Sequence, residues 1–395
     1  MQSPNKPPIL LMAAIAALPP LAIDMYLPAI PGIALDLATA ISVVQNSLSV
    51  FLVGFGFGLL LFGPLSDRYG RRPLALFGLS GFALSSFLIA ISTSADSFLL
   101  FRLLQGFLGS AATVVIPAMI RDCYGKDTAK GMSSVSMIML LAPLVAPLLG
   151  SFLLTLGSWT IIFTALSVYG LMLLVLTFRY LPETRPAHSD AVPRSMLGNY
   201  RLIFSRHAVY LDLLSFMLIS LAFFTYLTSV SFVYITYFGV SETLFGVLFA
   251  CSASALIFAN FLNVRLVSRV GPRKLMALGL MTGLVFAGLL ILVSLLKIGV
   301  YWTLACFILI VGSLGLTAVN ADALILIEFP HQASSASAVN GTLRFGFGAL
   351  AGPILAYFYT GTPVPVAIII FCIMLGAALC QFFKYRQLKA RAANP

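Results

Sequence analysis

Apolar residues run along this chain in long blocks and do not alternate with polar ones. Blocks of about 20 residues recur near 9–31, 44–64, 73–93, 97–119, 133–156 and 159–180, then near 209–230, 244–266, 273–294, 300–326, 334–358 and 363–386. At about 1.5 Å per residue each is long enough for a helix to cross a hydrocarbon layer of about 30 Å. The pattern predicts an all-α membrane protein with twelve transmembrane helices. The longest polar stretch, LPETRPAHSDAVPRSMLGNYRLIFSRH, separates the sixth block from the seventh. The predicted organisation is therefore a six-helix half over 1–181, a linker over 182–208 and a second six-helix half over 209–395.

Composition agrees. Of 395 residues 60% are hydrophobic and 9% charged, with a mean hydropathy of +1.04, whereas a soluble domain carries about 25% charged residues. The net charge of +11 and pI near 9.6 would suggest a nucleic-acid partner if they formed a basic face. Here the basic residues lie in short loops between apolar blocks, so no nucleic acid is expected and the lipid bilayer is the surrounding partner. The first block is as long as a spanning helix and no small-residue cleavage site ends it, which predicts a retained first span. Cys123, Cys251, Cys306, Cys372 and Cys380 lack metal or redox spacing. No disulfide, metal site or cofactor is expected.

When alternate loops are assigned to opposite sides, the basic residues sort. One side takes Lys6, the groups at 68–72, 121–130, 179–206 and 265–274, and the tail from Lys384 to Arg391; the other takes only Lys297. Arg102 and Arg344 fall within spans. The positive-inside rule then places both termini and the linker in the cytoplasm. A weak internal repeat runs through the same loops. Leu65, Arg68, Gly70 and Arg72 in LSDRYGRRP recur 201 residues later as Leu266, Arg269, Gly271 and Arg273 in LVSRVGPRK, as in a duplicated transporter.

The stretch Gly63–Pro73, GPLSDRYGRRP, resembles the signature loop of the major facilitator superfamily, GxLxDRxGRR/K, and lies between spans two and three as in that family. RLLQGFLGSAA from Arg102 resembles its second motif, and APLVAPLLG over 142–150 its antiporter motif, with alanine where a glycine commonly precedes the proline. With IDMYLP in span one and EFPH at 328–331, the pattern is similar to the Bcr/CflA family of bacterial drug efflux transporters. That resemblance implies a monomeric inner-membrane antiporter that exports small-molecule drugs in exchange for protons by alternating access. It also implies that Asp67 faces the start of span eleven and that Arg71 pairs with Asp122, closing a cytoplasmic gate formed with Gly63, Arg68, Gly70 and Arg72. Pro143, Pro147 and Gly150, and in the second half Gly352 and Pro353, would bend spans five and eleven.

Within the apolar blocks the chemistry-bearing residues are few. Asp24 lies roughly 10 Å below the outer surface and Arg102 roughly 8 Å below it, counted at about 1.5 Å per residue. Desolvation favours the neutral acid and a nearby arginine favours the carboxylate, so one proton can switch such a site. Asp24 is the expected proton acceptor with Arg102 tuning it; the structural alternative is a permanent ion pair that locks two helices. Asp212, at the start of span seven, is expected to snorkel to the surface. Asp322 is either a second protonation site or a gate partner. Arg344, near the midplane, either binds an acceptor-rich substrate or packs on backbone carbonyls. Tyr26, Gln45, Asn46, Phe223, Phe224, Tyr226, Tyr234 and Asn320 are the further candidates for lining a substrate cavity. His188, His207 and His331 fall in cytoplasmic segments and offer no proton relay.

Four functions remain to compare. An enzyme would need HExxH, paired carboxylates or a nucleophile with its base, and a channel a repeated filter; neither occurs. No GxxxxGK[ST] occurs to bind ATP, so an ion gradient must supply the coupling. Drug export is the leading reading, and proton-coupled transport of one metabolite such as a sugar, nucleoside or amino acid is the alternative on the same scaffold.

Overall fold

The computed structural model describes residues 8–184, 209–329 and 333–393. The first apolar block folds as α1 (Ile9–Ala16), α2 (Leu18–Asp24), a 3-10 turn over Leu27–Ala29 and α3 (Ile30–Asp36). Pro28 explains why this block is not one helix. It has no N–H to offer the Asp24 carbonyl four residues earlier, so the ladder stops there. Then follow α4 (Ile41–Tyr69), α5 (Arg71–Ala90), α6 (Ala95–Tyr124), α7 (Thr128–Leu156) and α8 (Thr160–Tyr180).

The second series is α9 (Tyr210–Ser231), continued by a π-helical segment over Phe232–Tyr237, then α10 (Glu242–Val270), α11 (Pro272–Leu295), α12 (Val300–Ile327), α13 (Ala333–Gly348), α14 (Ala351–Tyr357) and α15 (Val364–Ala393). Among the described residues 11 helices are long and apolar enough to cross a membrane, with Ile9–Asp36 taken as one. The expected twelfth, over 334–358, is divided between α13 and α14. Pro353 denies the Ala349 carbonyl its partner, and the break falls at Ala349 and Leu350.

The chain divides into two compact units, Met1–Pro193 with Ser241–Val247, and Arg194–Val240 with Leu248–Pro395. In the first, α6 is central and packs against α4 and α5, while α5 also packs on α8. Small residues allow this. A Cβ on Gly106 of α6 would collide with the Phe51 backbone of α4, so only glycine lets the two helices approach there. In the second unit α9 packs on α13 and α15, and α11 on α12 and α15.

Candidate functional site

The end of α2 leaves carbonyls without helical partners. Leu21 O accepts the Met25 N–H at 3.1 Å, and Ala22 O accepts Arg102 Nη1 from α6, also at 3.1 Å. A cation at a helix C-terminus is favoured by the orphan carbonyls it meets. Two residues further on, the Asp24 side chain is 3% exposed, its Oδ1 has no hydrogen-bond partner, and it joins none of the ion pairs among the described residues. The permanent Asp24–Arg102 ion pair considered from sequence is therefore absent. The two groups are neighbours through the Ala22 carbonyl.

Arg102 is completely buried. Its guanidinium carbon lies 4.3 Å from the Tyr26 ring centre, 4.7 Å from that of Phe51 and 5.8 Å from that of Phe163. Aromatic faces attract a cation, and a desolvated guanidinium gains most from them. Nη1 also donates to Gln105 Oε1 at 2.6 Å, Gln105 Nε2 donates to Ser86 Oγ at 2.8 Å, and Ser86 Oγ donates to the Phe82 carbonyl at 2.6 Å. Nε and Nη2 have no hydrogen-bond partner. Gln105 and Ser86 are absent from the sequence expectations, although the i, i+3 spacing of Arg102 and Gln105 puts both on one helix face.

Gly150 of α7 lies against the same break. A Cβ there would collide with the Met25 carbonyl oxygen. Its place in the antiporter-like motif is thus a close approach of backbones, whereas sequence suggested a bend, and α7 runs unbroken through Pro143 and Pro147.

The loop between α4 and α5 carries the expected charge cluster. Arg71 Nη1 pairs with Asp122 Oδ2 at 2.7 Å, and Arg71 Nη2 with Asp67 Oδ1 at 3.5 Å. Gly70 makes the turn at φ +100°, but Gly63 is not at a close approach, since a Cβ there would meet only Val114 Cγ2 at 3.9 Å. Arg68 lies over the Tyr69 ring at 5.4 Å. The expected partner of Asp67 involves residues 330–332 and the side chains after them, outside the described residues. Glu183 was missed from sequence. Its Oε1 accepts the Arg71 N–H at 3.0 Å and its Oε2 the Arg72 N–H at 3.1 Å, so it caps the first turn of α5. The Arg72 guanidinium reaches the Phe178 carbonyl.

In the second unit Asp212 does not snorkel. It is 1% exposed, accepts Arg273 Nη1 and Nη2 each at 3.2 Å and Gln381 Nε2 at 3.1 Å, and pairs with Lys384 Nζ at 3.0 Å. Asp322 Oδ1 accepts Asn340 Nδ2 at 2.6 Å and is the charged group that acts on Arg344. Arg344, assigned no acid partner from sequence, faces this one and remains exposed.

Most of the proposed cavity residues are packed away. Tyr26, Gln45, Phe224, Tyr226, Tyr234 and Asn320 are buried, while Asn46 and Phe223 retain partial exposure. Tyr26 is the cage of Arg102 and its hydroxyl oxygen accepts Ser47 Oγ at 3.2 Å; Tyr226 and Tyr234 flank Phe307, with ring centres 5.1 and 6.0 Å from it. Asn320 Nδ2 donates to Asn263 Oδ1 at 2.7 Å. Contact with a solute by these six would require rearrangement. His188, His207 and His331 lie outside the described residues.

Comparison with known proteins adds the family. Residues 12–353 match the Major Facilitator Superfamily. The chain is 33% identical over 390 residues to a bicyclomycin resistance protein homolog of Haemophilus influenzae, covering 97% of each chain. It is 30% identical over 360 residues to a chloramphenicol resistance protein of Pseudomonas aeruginosa, covering 89% of this chain and 80% of that one. Its fold superimposes with a TM-score of 0.76, at 14% identity, on a bacterial homolog of the human lysosomal transporter Spinster in an inward-facing, occupied conformation, covering 96% of each chain. With the long apolar helices and the loop cluster after α4, these matches establish that this multi-pass membrane protein belongs to the Major Facilitator Superfamily and is a transporter, not an enzyme.

Proposed function

We propose that this protein exports small-molecule drugs across the bacterial inner membrane in exchange for protons, by alternating access, with Asp24 as the coupling carboxyl. The observation that carries the reading is the isolation of that side chain. A carboxylate in a low-dielectric interior without a cation or a donor is costly, so the arrangement suits the neutral acid. Arg102 stands ready to receive the charged form. Two of its nitrogens are unpaired, and its third holds a carbonyl only two residues from Asp24. Loss of the proton would draw the guanidinium toward the carboxylate and release the Ala22 carbonyl at a helix end that Pro28 has already broken. One proton thereby alters the backbone of span one. The resistance proteins among the relatives support drugs as the substrates.

In this reading the protein works as a monomer with both termini and the linker in the cytoplasm, which is the side the basic loops indicate. Asp67, Arg71, Asp122 and their neighbours form the inner gate. Glu183 fixes the helix end that carries Arg71 and so belongs with them.

The test is drug-driven proton release from reconstituted protein, comparing wild type with Asp24→Asn at matched folding. Abolished proton release with ligand binding retained is the expected result. Coupling that persists in the variant would remove Asp24 from the mechanism.

A further inference from the structure

Asp322, Asn340 and Arg344 form a polar constellation within the second unit, on two neighbouring helices. Asn340 and Arg344 are four residues apart on α13, so they share one face with β-carbons about 6 Å apart. Asp322 on α12 meets that face through the 2.6 Å hydrogen bond from Asn340 Nδ2. Three features distinguish it from a closed structural network. Asn340 is 3% exposed, yet its Oδ1 has no hydrogen-bond partner. Arg344 makes no hydrogen bond or ion pair among the described residues, although Asp322 acts on it electrostatically. Asp322 is half-buried and Arg344 exposed, so a solute can reach both.

We infer that Asp322, Asn340 and Arg344 form a binding subsite for an uncharged polar solute that presents a hydrogen-bond acceptor beside a donor, such as a hydroxylated amide. The assignment rests on the export reading above and names the substrate class it serves. The carboxylate and guanidinium cancel in net charge, so a permanent cation gains nothing from the pair. Five guanidinium N–H donors await a carbonyl or hydroxyl oxygen. Asp322 keeps lone pairs beyond the one that Asn340 uses, and with Asn340 Oδ1 it can accept an N–H or O–H. A solute with both groups satisfies all three side chains at once; one with neither leaves them as they are. Sites that hydrogen-bond their ligand reject analogues lacking those groups far more strongly than apolar pockets reject a missing methylene.

The experiment measures binding to purified protein of chloramphenicol, which carries hydroxyl and amide groups without charge, and of tetraphenylphosphonium, a permanent cation with no hydrogen-bonding group. Wild type is compared with Arg344→Gln, Arg344→Lys and Asn340→Ala, each verified as folded by thermal melting. Chloramphenicol affinity should fall at least tenfold in Arg344→Gln and less in Arg344→Lys, with tetraphenylphosphonium unchanged. Asn340→Ala should also weaken chloramphenicol alone. Unchanged chloramphenicol binding, an equal loss for both probes, or no chloramphenicol binding by wild type would each overturn the assignment. Proton release by wild type and Asp24→Asn, measured in parallel, decides the export reading separately.

Discussion

Two helix starts, 201 residues apart, solve the same problem with opposite charges. Gly70 and Gly271 both turn the chain at positive φ, +100° and +86°, ahead of α5 and α11. The first helix opens with Arg71, whose N–H needs an acceptor, and Glu183 provides it from beyond the end of α8. The second opens with Pro272, which has no N–H to satisfy. At the position equivalent to Glu183 stands Lys384, and it turns to Asp212 instead. The Arg71–Asp122 pair is deleted as a unit in the second half, where the equivalent positions are Pro272 and Ala323. Arg273, equivalent to Arg72, grips Asp212 with both terminal nitrogens, whereas Arg72 rests on a backbone carbonyl. Duplication thus kept the turn and the basic residue and exchanged the partners, leaving one half with a partly exposed cluster and the other with a buried one.

The largest test of that contrast is Asp212→Ala. It would leave Lys384 and Arg273 without the carboxylate that neutralises them. Removing one partner of a buried pair costs about 3–5 kcal/mol. Thermal unfolding in detergent should show a large loss for Asp212→Ala and a smaller one for Asp122→Ala, because the Asp122 side chain is 16% accessible against 1% for Asp212. Equal losses would mean that burial does not separate the two clusters.

A second test separates strain from collision. Alanine at either glycine must adopt a positive φ, which costs about 1–3 kcal/mol. At Gly70 the new Cβ also meets Glu183 Oε2 at 2.7 Å, whereas nothing lies within 4 Å of a Cβ at Gly271. Gly70→Ala should therefore be more destabilising than Gly271→Ala, and should weaken the α5 cap that Gly271→Ala has no counterpart to weaken. Indistinguishable melting temperatures would show that Glu183 moves aside freely.

How much of this was legible in advance depended on the kind of information needed. Span positions and depth follow from counting along the chain, so the apolar blocks emerged and Asp24 and Arg102 came out at one level. Whether two groups at one depth touch depends on helix rotation and on which helices are neighbours, and counting supplies neither. Asp24 and Arg102 accordingly share a region without an ion pair. Asp212 was misplaced for the same reason. Its partners lie 61 and 169 residues away, at Arg273 and Gln381, and no local pattern announces them. Arg71–Asp122 was reached through the resemblance, and Glu183, 112 residues from Arg71, was not. Pro353 was readable because proline acts locally, breaking a helix through an absent N–H. Gly150 was not, because its reason is the Met25 backbone on another helix.

The smallest expected effect concerns the cap itself. Glu183→Ala removes both acceptors from the first turn of α5, and losing a helix N-cap interaction costs about 1 kcal/mol. Glu183→Gln keeps one oxygen, which can still accept the Arg71 or the Arg72 N–H, but loses the negative charge that suits a helix N-terminus. The glutamine variant should therefore melt between wild type and the alanine variant. Lys384→Gln at the equivalent position provides the control. There Pro272 leaves no first-turn N–H for the residue at 384 to cap, and Arg273 and Gln381 still hold Asp212. If the alanine and glutamine variants at 183 melt together, the charge and not the hydrogen bonds supports α5. The two helix starts would then differ in electrostatics alone, and the proline at 272 would have replaced a donor of no consequence.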